Sequence, residues 1–461
     1  MLTSNPPAPP AARRGAMLAV LLTGQVMASM DGSIVSVSAQ AIREDLHAGG
    51  AAVQLIVSGY LLTTGVLLVT CARIGDVVGQ RRAFLVGLGW FTGASLLCGL
   101  APNVPALVAA RVAQAVGAAL MTPQVFALIQ LHFGGDARRR AIGLYGMVLA
   151  LGVALGQVVG GVLVSADLFG LSWRPVFLVN LPIGAVLLAL GPRVLPDVRT
   201  GGNARLDPLG VVILTVAMTA FTLPLIFGRE FGRPGWALLS LASGAVLLLA
   251  FARYETRARD PLLDPAVLRP GGVKPGLAAC WIVMGCYTVL LLVLTLHMQS
   301  ALGFSALQAG LAFVPYTLGF AALSLTWTRY PRRLRDALPV AGPIVFAVAA
   351  TTLVLLFRAR WSAYGSAPLL LVAGAGHAAG YNPLIARIAS LVEPRLAASM
   401  SALNSTGPML AGVTAVAGLG SVYFAAPTSA GGLLRATLAV AVLLTLGATC
   451  AARVPPSQRS S

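Results

Sequence analysis

The stretch Ala16–Gln40, AMLAVLLTGQVMASMDGSIVSVSAQ, follows directly on Arg13, Arg14 and Gly15. Two arginines ahead of an apolar run also open a secretory signal, but the apolar core of such a signal has about 7–15 residues. This run is too long for that. As a helix rising 1.5 Å per residue it covers the roughly 30 Å hydrocarbon layer of a bilayer. It reads as a first membrane span, and it holds one ionisable side chain, Asp31.

The same reading extends along the chain. Of the 461 residues 57% are hydrophobic and 10% charged, with a mean hydropathy of +0.85. A soluble domain is about a quarter charged, and this chain lacks the polar side chains to cover water-facing surfaces around several cores. Apolar runs long enough to span fall at 16–40, 51–71, 83–101, 104–130, 140–164, 174–191, 208–228, 235–253, 275–299, 306–328, 337–357, 364–386, 399–424 and 432–452. The expected fold class is an all-α membrane protein with fourteen spans.

The basic residues test that count. With the N-terminus in the cytoplasm, 24 of the 32 Lys and Arg fall in cytoplasmic segments, 7 in outer segments, and Arg111 inside a span. This is the asymmetry of the positive-inside rule. Both termini are therefore expected in the cytoplasm of a multi-pass cell-membrane protein. The net charge of +18 follows this pattern, so lipid bilayer and not nucleic acid is the expected neighbour.

The longest polar interruptions, 192–207 and 253–275, divide the spans into six, two and six. The expected organisation is a disordered Pro- and Ala-rich tail at 1–15, a six-helix bundle at 16–192, two additional helices at 193–260, a second six-helix bundle at 261–453, and a tail at 454–461. The five cysteines lie in or beside apolar runs without a CxxC, which argues against a disulfide framework or a zinc site. The one lysine, Lys274 in GGVKPG, does not fit a nucleotide-binding loop. No cofactor is expected, and no enzymatic activity.

Ionisable groups inside spans are costly and mark function. Asp31 is the acid well inside a span and Arg111 the base at comparable depth. At 1.5 Å per residue they lie roughly 13 Å and roughly 10 Å below the same boundary. Asp31 suits a proton-binding carboxylate, since burial raises its affinity for the proton and a neighbouring Arg lowers it. A static Asp–Arg pair that fixes helix packing is the plainer alternative. The polar residues Gln54, Gln114, Gln157, His377 and Asn404 are candidates to line a substrate cavity, and each also suits interhelical hydrogen bonding.

Several stretches together resemble the major facilitator superfamily, in its fourteen-span drug:proton antiporter branch. Met30-Asp31-Gly32-Ser33-Ile34-Val35 is similar to the first-span motif L-D-x-T-I-V-N-V-A. The loop from Ala72 to Arg82 is similar to G-x-L-A-D-R-x-G-R-K: Asp76, Gly79 and Arg81 match, while Ala72, Val77 and Gln80 depart. Arg111-Val112-Ala113-Gln114-Ala115-Val116-Gly117 resembles R-x-x-Q-G-x-G. Gly152, Gly156, Gly160 and Gly161 match the antiporter signature G-x-x-x-G-P-x-x-G-G, in which Gln157 takes the place of proline. Trp173-Arg174-Pro175-Val176-Phe177-Leu178-Val179-Asn180-Leu181-Pro182-Ile183-Gly184 resembles W-R-W-I-F-L-I-N-V-P-I-G.

The resemblance implies two six-helix bundles plus two extra helices that rock about a central cavity. It implies a conformational-switch loop at Asp76, Gly79, Arg81 and Arg82, tight packing at the signature glycines, and proton coupling at Asp31 with Arg111. The expected function is proton-coupled export of a drug-like or antibiotic-like compound by a monomer, with small molecule and protons as partners. An importer or narrow metabolite exporter on the same fold is the alternative, and a non-transporting membrane sensor is the alternative of another class.

Overall fold

The computed structural model describes residues 11–133, 135–196, 208–227, 234–257, 265–393 and 396–455. The helices are α1 (Ala11–Asp45), α2 (Gly50–Val78), α3 (Gln80–Gly99), α4 (Val104–His132), α5 (Gly135–Ser165), α6 (Pro175–Leu178), α7 (Asn180–Val194), α8 (Pro208–Phe227) and α9 (Pro234–Glu255). They continue with α10 (Val273–Ser300), α11 (Ala306–Ala312), α12 (Val314–Thr326), α13 (Arg332–Phe357), α14 (Ala363–Leu391), α15 (Ala397–Phe424) and α16 (Ser429–Ala452). Among the described residues there is no strand. This is the solution that satisfies main-chain hydrogen bonds without water.

Among the described residues twelve segments are long and apolar enough to cross a membrane. The sequence count of fourteen adds α5 and α8, whose described apolar stretches are the shorter Leu155–Ser165 and Leu209–Pro224. Two segments are interrupted near a proline: Val179 separates α6 from α7, and Phe313 separates α11 from α12 ahead of Pro315. Helix α1 begins at Ala11, inside the stretch expected as tail; residues 1–10, 456–461, most of the 192–207 interruption and Arg395 lie outside the described residues.

Local sequence sets the helix starts. Asn103 accepts from the main-chain N–H of Ala106 at 2.9 Å ahead of Pro105, which satisfies a donor the first turn leaves free. Ser305 and Gln308 cap each other's main-chain N–H groups. The Ser362 and Thr428 side chains cap α14 and α16 by accepting from main-chain N–H groups of the first turn. Gly79 turns the chain from α2 into α3 at φ 97°, a region that favours glycine.

Call the end of the molecule where α1 begins at Ala11 proximal and the opposite end distal. In the first bundle α1 packs on α5, and α4 on α2 and α3; in the second, α14 packs on α12 and α13, and α10 on α15 and α16. Helix α8 packs on α9 and lies across both α2 and α15, through a cluster of Val66, Leu214, Met218 and Phe251. The additional pair therefore covers one seam between the bundles. On the other side α5 meets α11, where Gly161 lies against Ala306 and Leu307 and Gly310 lies against the carbonyl of Gln157. Such small residues let two main chains approach.

Hydrogen bonds cross between the bundles in the distal half. Gln299 Nε2 donates to Val37 O at 2.8 Å, Leu307 N to Ser165 Oγ at 3.0 Å, and Ser421 Oγ to Gln54 Oε1 at 3.2 Å.

The bundles share one joint. Gly117 on α4 sits against the main chain of Phe91 and Gly87 on α3; Gly376 on α14 sits against Phe346 and Gly342 on α13 in the same pattern. Gly87 faces the main chain of Gly117 and Met121, and Gly342 that of Gly376 and Gly380. The two crossings therefore match residue by residue, an internal repeat that the sequence alone does not display.

Candidate functional site

Inside the first bundle the structure brings Asp31 of α1 and Arg111 of α4 together. Arg111 Nη1 donates to Asp31 Oδ2 at 2.5 Å, and the Asp31 and Arg111 side chains are 0% and 1% exposed. Gln114, one turn along α4, binds both partners: its Oε1 accepts from Arg111 Nη1 at 2.6 Å, and its Nε2 donates to Asp31 Oδ1 at 2.8 Å. The same Nε2 reaches Ser95 Oγ on α3 at 2.8 Å. Asn180, the first residue of α7, donates to Ser95 Oγ at 3.2 Å and to Asp31 Oδ1 at 3.4 Å.

Aromatic rings close the site. The Arg111 guanidinium carbon lies 4.1 Å from the centre of the Tyr60 ring and 5.6 Å from that of Phe177, an attraction that strengthens away from water. The Tyr60 hydroxyl donates to Ala28 O at 3.5 Å. The site is thus a desolvated charge pair whose hydrogen bonds draw on α1, α3, α4 and α7 and whose rings come from α2 and α6, with Arg111 Nε and Asn180 Oδ1 left without a partner among the described residues.

Four members of this site, Ser95, Asn180, Tyr60 and Phe177, are not among the candidates that the sequence offers. Asn180 and Phe177 lie in a quoted motif, which is a usable signal; a serine in an apolar helix and a tyrosine in another carry none.

The other candidates fall at separate places. Gln54 bonds Ser421 at the distal seam, Gln114 belongs to the charge pair, and Gln157 donates to Ser33 O at 2.9 Å with its Oε1 buried and unpartnered. Gly152, Gly156 and Gly160 line one face of α5 against Ser29, Ser33 and Ile34 of α1, and Gly161 turns toward the second bundle. At the proximal end Gln80 Nε2 donates to Asp76 Oδ1 at 3.1 Å, and Arg81 Nη2 to Pro192 O at 2.5 Å, so the loop between α2 and α3 is tied to the end of α7. Partial burial at this junction raises the Asp76 carboxyl from its ordinary value, more than the Gln80 hydrogen bond and the Arg73 charge lower it, although the residue keeps an exposed face. Arg82 is exposed.

His377 lies in the second bundle within a box of rings. It stacks on Tyr287 at 4.9 Å and on Phe346 at 5.8 Å, and Phe320 is 4.8 Å away. Its Nδ1 shares a 2.8 Å hydrogen bond with the Tyr316 hydroxyl, and its Nε2 faces Met284 Sδ at 3.3 Å. Beside it Tyr381 donates to Asn404 Oδ1 at 3.0 Å, bridging α14 and α15. Among the described residues no group of three His, Cys, Asp or Glu is placed to hold a metal ion.

Two like helical bundles meeting at a seam, with a buried charge pair in one, define a membrane transporter. The chain belongs to the Major Facilitator Superfamily, whose sequence pattern matches residues 21–416, and it is a multi-pass membrane protein of that non-enzymatic transporter family. It is 38% identical over 314 residues to the probable actinorhodin transporter of Streptomyces coelicolor, a match that covers 67% of this chain and 54% of that one, about half of that relative's length. It is 32% identical over 427 residues to the puromycin resistance protein pur8 of Streptomyces alboniger, covering 90% and 82%. An auto-inhibited peptide transporter of the POT family has the same fold, with a TM-score of 0.70 at 13% identity over 96% of this chain and 98% of that one.

Proposed function

We propose that the protein exports drug-like organic compounds from the cytoplasm in exchange for protons, crossing the cell membrane fourteen times with both termini inside and working as a monomer. The observation that carries this reading is the Asp31–Arg111 pair, fully buried yet bound to a neutral amide on both sides. A pair needed only for packing is easily replaced by apolar side chains; a buried carboxylate whose counter-ion is also held by a neutral amide is suited to take up and release a proton. Relatives named as a probable actinorhodin transporter and a puromycin resistance protein support the direction and the cargo class.

In this reading the distal end faces outside and is closed, so the cavity between the bundles opens to the cytoplasm. Protonation of Asp31 removes the charge that holds Arg111 and loosens α1 from α4. Because α1 is packed tightly on the glycine face of α5, and α5 abuts α11 at Gly161 and Gly310, a shift of α1 is passed to the distal seam. Rocking of the two bundles then exchanges access.

The test is transport in proteoliposomes holding a pH-sensitive dye, beginning with puromycin and extending to a panel of antibiotics found by comparing resistance in cells with and without the gene. Movement of an accepted compound should carry protons the opposite way. Compound flux with no proton movement would remove the coupling, and failure of every compound to move outward would remove export.

A further inference from the structure

We infer that the ring box around His377 is a subsite for a flat, uncharged aromatic portion of the cargo that bears hydroxyl or carbonyl groups. This rests on the export reading above for its cargo, but not for its binding chemistry.

The internal repeat supplies the argument. If the Gly87–Phe91–Gly117 joint of the first bundle and the Gly342–Phe346–Gly376 joint of the second are matched, His377 falls on Ala118 and Tyr381 on Thr122. Ala118 is buried, and the first bundle forms its crossing with no ring at that position. The box is therefore not required by the helix packing that the bundles share. The same match places Arg111 on Leu370, Gln114 on Ala373 and Ser95 on Ala350, all buried and apolar. The second bundle lacks the polar site and carries rings a turn or two further along the helix.

The rings are arranged as a wall with a back and a front. Phe346, Tyr316 and His377 are buried at the back, while Tyr287, Phe320 and Tyr381 keep part of their surface open. Tyr287 already stacks on Tyr316 at 5.5 Å with 16° between the planes, so its remaining edge and face are fixed by packing and cost little entropy to present to a ligand. Offset or edge-on stacking of a further ring is favourable at such a surface. Asn404 on α15, bridged to Tyr381, and Asn382 on α14, which donates to Ser324 Oγ at 2.7 Å, bring amide groups beside the rings, suited to hydroxyl or carbonyl substituents. The hydrogen bonds and ring contacts of His377 run to neutral side chains, so the box has no built-in preference for a charged ligand.

The experiment is equilibrium binding of dihydroxyanthraquinone to the purified full-length protein in detergent, read from the dye's own fluorescence. Wild type should bind it saturably, Tyr287→Leu should weaken binding about tenfold, and Tyr287→Phe, which keeps the ring, should bind within about twofold of wild type. Absence of saturable binding to wild type, a Leu variant equal to wild type, or a Phe variant as weak as the Leu variant would each overturn the subsite. No gradient is applied, so the outcome is independent of export: binding that behaves as expected beside failed proton-linked flux sinks the transport reading and leaves the subsite, and the converse result does the opposite.

Discussion

Gln157 donates its side-chain amide to the main-chain carbonyl of Ser33 at 2.9 Å, so the residue that stands where the antiporter signature has proline ties α5 to α1. Proline there would remove a main-chain donor and crowd the carbonyl one turn back, bending the helix. Here α5 runs on as one helix through this point, with its Gln157 carbonyl against Gly310. Gln157→Leu should lower the stability of the purified protein by about 1 kcal/mol, the scale of a hydrogen bond between membrane helices. Gln157→Pro should lower it further and slow transport. Thermal unfolding in detergent checks the first and vesicle flux the second; a Leu variant as stable as wild type would mean the bond contributes nothing.

Removing one partner of the buried pair should be costly. Asp31→Asn leaves Arg111 charged and without its counter-ion, a situation that costs roughly 3–5 kcal/mol when a buried pair loses one partner. Asp31→Asn with Arg111→Gln should regain most of that stability, because no lone charge remains, while proton-linked flux stays absent. Melting curves for the single and double variants, with flux measured on both, separate a packing pair from a coupling pair. Recovery of coupled flux in the double variant would sink the role proposed for Asp31.

Tyr60 covers the guanidinium of Arg111 at 4.1 Å. Tyr60→Phe preserves the ring and should leave transport close to wild type. Tyr60→Leu removes the ring face, an interaction of about 2 kcal/mol when shielded from water, and should shift the pH at which flux is half-maximal. A pH profile unchanged by Tyr60→Leu would show that the ring merely fills space.

Gly310→Val places a branched side chain against the main chain of α5 at Gln157, where it cannot be accommodated without separating the two bundles. The distal seam should open more of the time. Cysteine introduced at Leu307 should then react faster with a thiol reagent that does not cross membranes, applied at the distal face. Equal labelling rates with and without the Gly310→Val change would count against the seam as the closure.

The sequence disclosed Asp31 and Arg111 because charge in an apolar run is rare, and rise per residue was enough to set them at similar depth. It did not disclose Ser95 or Tyr60, since hydroxyls and single rings are common in spans and their partners lie on other helices. Gln54, Gln157 and Asn404 looked alike as amides in apolar runs. Which face of its helix each occupies depends on the neighbours, and the structure sends them to the distal seam, the α1–α5 contact and the α14–α15 bridge. The seat of α8 and α9 was equally invisible, because an apolar surface that meets α2 and α15 reads the same as one that meets lipid.

The joint shared by the two bundles has a further consequence. Its glycines are the scaffold in common, while the positions beside them differ: Ala118 in one half, His377 in the other. A side chain added at Gly117 or Gly376 runs into the main chain of the neighbouring helix and disturbs the crossing that both halves share. Substitution at the neighbouring positions alters only the lining of one half. A molecule made this way can drift in what it accepts without relearning how to move.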